Sequence, residues 1–279
     1  MKKVISKIAI GCLLCLCLGA ITFKTVSIAA QKTNENIKAE LVWSQFNGRN
    51  YQILYSRFEN NRWSDEVQIT NTSSSAILPC IGKGPDGVTY IVWSVLNGAK
   101  SKLYYSRFDG TAWAEPASID TAFTSNMAPS IFVAPDNVPW LVWSGFDGKV
   151  DNIYFTKWTG KSWYSPKKVN ADNAAPDILP VIGMNQAGNP WVYWSGYDGG
   201  GNYRNYVSVW NGNGWGDETE ENISDSPYQA IIKRALEALP DLPPSLTDHT
   251  KASIYIESGG QIQSLPLRYM DKKEYVGKN

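Results

Sequence analysis

The segment LVWSGFDG at residues 141–148 recurs four times along the chain with substitutions. LVWSQFNG begins at 41, IVWSVLNG at 91 and VYWSGYDG at 192, so the steps are 50, 50 and 51 residues. A second element follows each copy: SRFENNRW (56–63), SRFDGTAW (106–113), TKWTGKSW (156–163) and SVWNGNGW (208–215). The leading Trp precedes the trailing one by 20, 20, 20 and 21 residues. A fixed period near 50 built on paired Trp is a tandem array of one supersecondary unit.

Each unit reads as four short strands. In the copy at 127–169, Pro129 to Ala134, Trp140 to Ser144, Ile153 to Trp158 and Trp163 to Val169 are apolar, β-branched or aromatic. Turn signals separate them: Pro135-Asp136-Asn137, Asp147-Gly148 and Thr159-Gly160. Asn47-Gly48, Asn97-Gly98 and Asp198-Gly199 repeat the second turn, and these dipeptides tolerate the positive φ of a tight hairpin. No helical apolar period runs through the repeats. Four antiparallel strands per unit predict an all-β fold, a β-propeller of four repeats; a stacked solenoid is the competing architecture.

The second element resembles the Asp-box of sialidase-type propellers, the bacterial neuraminidase repeat. That motif places Ser or Thr first, Asp third, Gly fifth and Trp eighth. This chain keeps the first and eighth positions in all copies, and Gly110, Gly160 and Gly212 at the fifth. The third is instead aromatic: Phe58, Phe108, Trp158 and Trp210. The resemblance covers residues 38–225. It implies a propeller whose Asp-box hairpins join strands three and four, away from the ligand-binding face. It also implies that Trp63, Trp113, Trp163 and Trp215 pack between blades.

Lys2, Lys3 and Lys7, an apolar run from Ile8 to Phe23 and the small residues Ser27, Ala29 and Ala30 predict a secretory signal over residues 1–30, with an uncleaved anchor as the alternative. Export to the cell envelope or beyond follows. Without that segment 22 basic residues face 26 acidic ones, with no basic tract, so nucleic acid is not an expected partner. Cys80 is then the lone cysteine and reads as a small buried residue. No His/Cys cluster suggests zinc and no cofactor is expected.

The repeats fill 31–225, and the first copy lacks its own first strand on the N-terminal side. Residues 226–279 break the pattern. Ile231, Ile232, Ala235, Leu236 and Leu239 form a helical stripe, ended by Pro240, Pro243 and Pro244. Ala252 to Ser258 and Gln261 to Tyr269 flank Gly259-Gly260 and predict a hairpin. That hairpin either closes the ring or begins a fifth blade.

The two–three and four–one loops of a propeller share one face. There the framework repeats and the loop residues do not, so specificity is expected there. Arg49, Tyr51, Asp151, Tyr203 and Arg204 are the candidate ligand-binding residues. Arg and Tyr combine directional donors with flat apolar area. Sialidase chemistry needs an arginine cluster and a Tyr nucleophile with a carboxylate partner. The first strands read ILPCIG, MAPSIFV and ILPVIG, without Arg. Asp151, Asp177 and Asp198 leave a two-carboxylate mechanism open. The expected function is a secreted, non-catalytic propeller binding glycan or an extracellular protein. The alternatives are a divergent sialidase-like glycoside hydrolase and an envelope interaction scaffold.

Overall fold

The computed structural model describes residues 37–222, 227–239, 241–258 and 261–270. The predicted signal segment lies outside them. Four antiparallel sheets form the blades of a β-propeller. Blade two is β5 (Ala76–Lys83), β6 (Thr89–Asn97), β7 (Lys100–Phe108) and β8 (Ala117–Ile119). Blade three is β9 (Ser125–Val133), β10 (Pro139–Phe146), β11 (Asp151–Lys157) and β12 (Lys167–Lys168). Blade four is β13 (Asp177–Met184), β14 (Pro190–Tyr197), β15 (Tyr203–Val209) and β16 (Thr219–Glu220).

Blade one takes its inner strand from the far end of the chain. β1 (Lys38–Phe46) pairs with β2 (Tyr51–Glu59) on one side and with β17 (Ala252–Ser258) on the other. The register runs from Lys38↔Glu257 to Trp43↔Ala252. The short β3 (Arg62–Trp63) and β4 (Val67–Gln68) complete the outer edge. The C-terminal hairpin therefore closes the ring and leaves no open edge on β1. The helix α1 (Pro227–Ala238) brings Ile232, Ala235 and Leu236 into one apolar cluster with Leu41 and Phe58 of blade one and Val181 and Val207 of blade four. It joins the first and last blades. Among the described residues no helix is long and apolar enough to cross a membrane.

The outer strands are shorter than the composition predicts. The trailing Trp makes only an isolated bridge in blades two, three and four, and two or three residues of strand follow further on. Pro116 and Pro166 stand just before those strands in blades two and three, where a missing N–H cannot join the ladder.

Two layers of Trp hold the blades. Trp43, Trp93, Trp143 and Trp194 of the second strands are at most 2% exposed. The trailing Trp residues are half-buried and reach the preceding blade. Trp113 packs edge-on to Tyr55 at 5.0 Å, Trp163 to Tyr105 at 5.6 Å and Trp215 to Phe155 at 5.3 Å. The aromatic third position of the motif has a part in this. Phe58–Trp63, Phe108–Trp113, Trp158–Trp163 and Trp210–Trp215 lie 5.4–5.5 Å apart within each hairpin. Cations from the preceding blade then sit over that ring: Arg57 lies 5.3 Å from Phe108, and Lys157 5.4 Å from Trp210. An Asp at this position would lose the ring–ring contact.

The inner strands share one irregularity. β5, β9 and β13 each carry a bulge, at Leu78-Pro79, Ala128-Pro129 and Leu179-Pro180. The residue before each Pro is left-handed, with φ of 51°, 52° and 56°. The bulge is what admits Pro, which has no ladder donor, to an inner strand.

Candidate ligand-binding face

The turns between second and third strands of blades one, three and four share a construction. Asn47 Oδ1 accepts from the backbone N–H of Arg49 and Asn50 at 3.0 and 3.1 Å. Asp147 Oδ1 accepts from Lys149 and Val150 at 2.8 and 3.1 Å, and Asp198 Oδ1 from Gly200 and Asn202 at 2.8 and 3.1 Å. Gly148 and Gly199 supply the positive φ, 99° and 73°. The donated N–H groups stabilise the ionised form. Hydrogen bonds from Asn202 and Gly200 hold Asp198 down at about 2. Among the described residues no group of three or more His, Cys, Asp or Glu side chains is placed to hold a metal ion.

The four–one loops lie against these turns, so both belong to one face. Asn50 Nδ2 donates to the Thr72 carbonyl at 2.8 Å, and Tyr51 N–H to Ser75 Oγ at 3.2 Å. Asn126 Nδ2 donates to the Ser101 carbonyl at 3.0 Å. Asn170 and Asn173 donate to Asp177 Oδ2 at 2.7 and 3.0 Å. These loops are tied down rather than freely solvated.

The five candidate residues are spread around this face. Cross-strand pairs Phe46↔Tyr51, Leu96↔Ser101, Phe146↔Asp151 and Tyr197↔Tyr203 show that Tyr51, Asp151 and Tyr203 hold the same register position in three blades. No hydrogen bond, ion pair or ring contact joins the three blades' candidates among the described residues. In blade one, the Tyr51 ring sits 5.4 Å from Phe46, and Lys251 Nζ donates to Tyr51 Oη at 3.0 Å. Arg49 is exposed and engages the turn through its backbone. In blade four, Tyr203 lies 5.5 Å from Tyr197 and is 53% exposed. Arg204 is spent on its own blade: Nε donates to Asp198 Oδ2 at 3.2 Å and Nη1 to Glu220 at 3.1 Å. In blade three, burial and the neighbouring Asp147 push the Asp151 carboxyl up.

Sequence reasoning missed Phe46, which is 52% exposed. Its signal is a large apolar residue immediately before an Asn-Gly turn, the place held by Tyr197 in blade four. Blades one and four, neighbours across the closure, thus each present a cross-strand aromatic pair at the base of the same turn.

The inner carboxylates are occupied. Asp177 Oδ1 accepts from Trp194 Nε1 at 2.9 Å and Oδ2 from both asparagines. Burial raises its pKa against these bonds. Glu40 is 2% exposed, nearer the opposite face. It accepts from Lys83 Nζ at 2.6 Å, Tyr55 Oη at 2.9 Å and Thr89 Oγ1 at 2.9 Å, a clasp between blades one and two.

The centre of the ring is filled by the chain itself. β18 (Gln261–Pro266) lies beyond β17 and touches the inner strands β5, β9 and β13. Ser253 Oγ donates to the Pro79 carbonyl at 2.8 Å, and Ser264 Oγ to that of Ile81. Tyr269 Oη donates to the carbonyl of Leu179, in the bulge of blade four.

No protein-family model matches the sequence. No curated protein matches it either. Solved structures share its fold. A Dyadobacter fermentans protein of unknown function is 11% identical, with a TM-score of 0.53 over 85% of this chain and 84% of its own. The α-L-arabinanase of Penicillium chrysogenum, solved with arabinobiose, is 11% identical with a TM-score of 0.53, covering 83% and 76%. A Hadza microbial sialidase is 13% identical with a TM-score of 0.45, covering 80% of this chain and 53% of its own.

Proposed function

We propose that this chain is an exported, non-catalytic β-propeller that binds an oligosaccharide on the face carrying the two–three turns. The carrying observation is the pair of aromatic platforms, Phe46–Tyr51 and Tyr197–Tyr203, half-exposed at matching positions of blades one and four. Exposed flat rings pack against the apolar faces of sugars, and their hydroxyl groups orient the ligand. The fold shared with an arabinanase solved with arabinobiose makes arabino-oligosaccharides the first ligands to try.

The occupation of the centre supports a binding role over turnover. A glycosidase holds two carboxyl groups across the scissile bond, one of them free to give a proton. Here Asp177 accepts three hydrogen bonds and Asp198 is held by its turn and by Arg204, which leaves Asp151, whose carboxyl burial pushes up, as the one uncommitted member of the three. The test is a glycan array run beside a panel of fluorogenic arabinosides and sialosides. Binding without turnover is the expected result. Turnover that disappears in Asp177→Asn would replace this reading with a hydrolase.

A further inference from the structure

Arg268 lies in the 3-10 turn Leu267–Tyr269 that follows β18. Its neighbours place it at the centre of the ring. Tyr269 is bonded to the inner strand of blade four, and the guanidinium carbon of Arg268 is 4.9 Å from the Tyr269 ring centroid. The positive charge also acts on the Cys80 thiol, on the inner strand of blade two, opposing the rise that burial causes. Nε and Nη2 of Arg268 are buried, and neither has a hydrogen-bond partner among the described residues. A guanidinium does not lose its charge in a protein, so it cannot relieve this by deprotonating. Leaving charged donors buried and unpaired is among the costlier arrangements a fold retains.

The Nε–Nη2 edge is one of the two that pair bidentately with a carboxylate or similar oxyanion. A second observation converges on the same place. The bulges at Leu78, Ala128 and Leu179 hold non-glycine residues at positive φ before Pro, against the extended preference of that position. Backbone strain of this kind gathers at ligand clamps. All three strained residues lie on the inner strands that β18 touches, and the carbonyl of one of them, Leu179, accepts from Tyr269 of the turn.

We propose that Arg268 is the receptor for a small oxyanion at the centre of the ring, an anion presenting two oxygens to the Nε–Nη2 edge. This site is distinct from the aromatic face, and the two stand or fall separately. Arg268 as a whole residue is partly exposed, whereas its Nε–Nη2 edge is buried. Entry requires a local shift of the Leu267–Met270 turn.

The test is thermal unfolding of the full chain in sodium acetate, and separately in sodium sulfate, against sodium chloride at constant ionic strength. At about a hundredfold excess over Kd, a saturable rise in Tm of about 5 °C is expected in at least one anion. Acetate responding identifies a carboxylate ligand, and sulfate alone an inorganic oxyanion. Arg268→Gln should abolish the saturable rise while melting no lower than the parent in chloride, since the uncompensated charge is gone. Should that variant fail to fold, Arg268→Lys keeps the charge without the bidentate edge, and its Kd should rise at least tenfold. A parent without a saturable response, a rise that survives Arg268→Gln, or an unchanged Kd in Arg268→Lys overturns the proposal.

Discussion

Trp194 Nε1 donates to Asp177 Oδ1 at 2.9 Å across the two innermost strands of blade four. Blade three repeats the bond between Trp143 and Asn126 at 3.0 Å. In blade two the matching residue is Ala76, and the Trp93 indole N–H is buried without a partner among the described residues. The opposing strand tracks this difference. Gly196 faces Asp177 and Gly145 faces Asn126, whereas Val95 faces Ala76. A Cβ on Gly196 would lie 2.6 Å from Asp177 Oδ1 and 2.8 Å from the Tyr206 ring. Gly196→Ala should therefore destabilise by about 1–3 kcal/mol, the cost of overpacking. Combining it with Asp177→Ala, which approaches the arrangement of blade two, should cost less than the sum of the single changes by about 1 kcal/mol or more. Urea unfolding of the four proteins in the cycle measures the coupling.

The two Trp layers should differ in weight. Trp93 is 1% exposed and Trp113 half-buried. Trp93→Ala should cost about 3–5 kcal/mol, and Trp113→Ala measurably less. Denaturant midpoints of both variants decide it; equal losses would mean that the interblade layer carries as much of the core as the inner one.

Placing an Asp at the aromatic third position of the hairpin should harm the fold. Trp210→Asp removes the ring contacts to Trp140, Phe155 and Trp215 and the face on which Lys157 rests. A loss of about 2–4 kcal/mol is expected, read from the unfolding midpoint.

The acid limb of stability should carry the signature of Asp198. Its folded pKa of about 2 lies below the ordinary aspartate value of 3.8. Its contribution is thus complete above about 4 and is lost as pH falls through about 2. The Tm difference between the parent and Asp198→Ala should be constant from pH 5 to 7 and close towards pH 2. A difference that persists at pH 2 would mean that the turn is held by something other than this carboxylate.

The blades were legible because each must bury the same apolar strip, so the Trp pair recurs in fixed phase. Helix α1 was legible from the spacing of Ile232, Ala235 and Leu236. The placement of β18 was not. Gly259-Gly260 predicts a hairpin, and the missing first strand of the first repeat made its pairing with β1 one of two outcomes beside a fifth blade, but nothing local says that β18 lies on the inner side. Arg57 and Lys157 stand at one repeat position, yet they meet the third-position rings Phe108 and Trp210 only across blades. At the candidate face, Tyr203 was readable as a turn aromatic. The capture of Arg204 by Asp198 and Glu220 was not, because Glu220 lies on an outer strand whose register no pattern fixes.

Binding at the aromatic face is tested most directly by calorimetry with an oligosaccharide selected on the array. The parent should be compared with Phe46→Ala, Tyr203→Ala and Tyr164→Ala. Tyr164 is 58% exposed and follows the hairpin at the opposite end of β11, so it controls for non-specific stacking. Phe46→Ala and Tyr203→Ala should each weaken binding about tenfold or more, at unchanged Tm, while Tyr164→Ala leaves affinity unaltered. Full affinity in both platform variants, or an equal loss in Tyr164→Ala, would contradict the account.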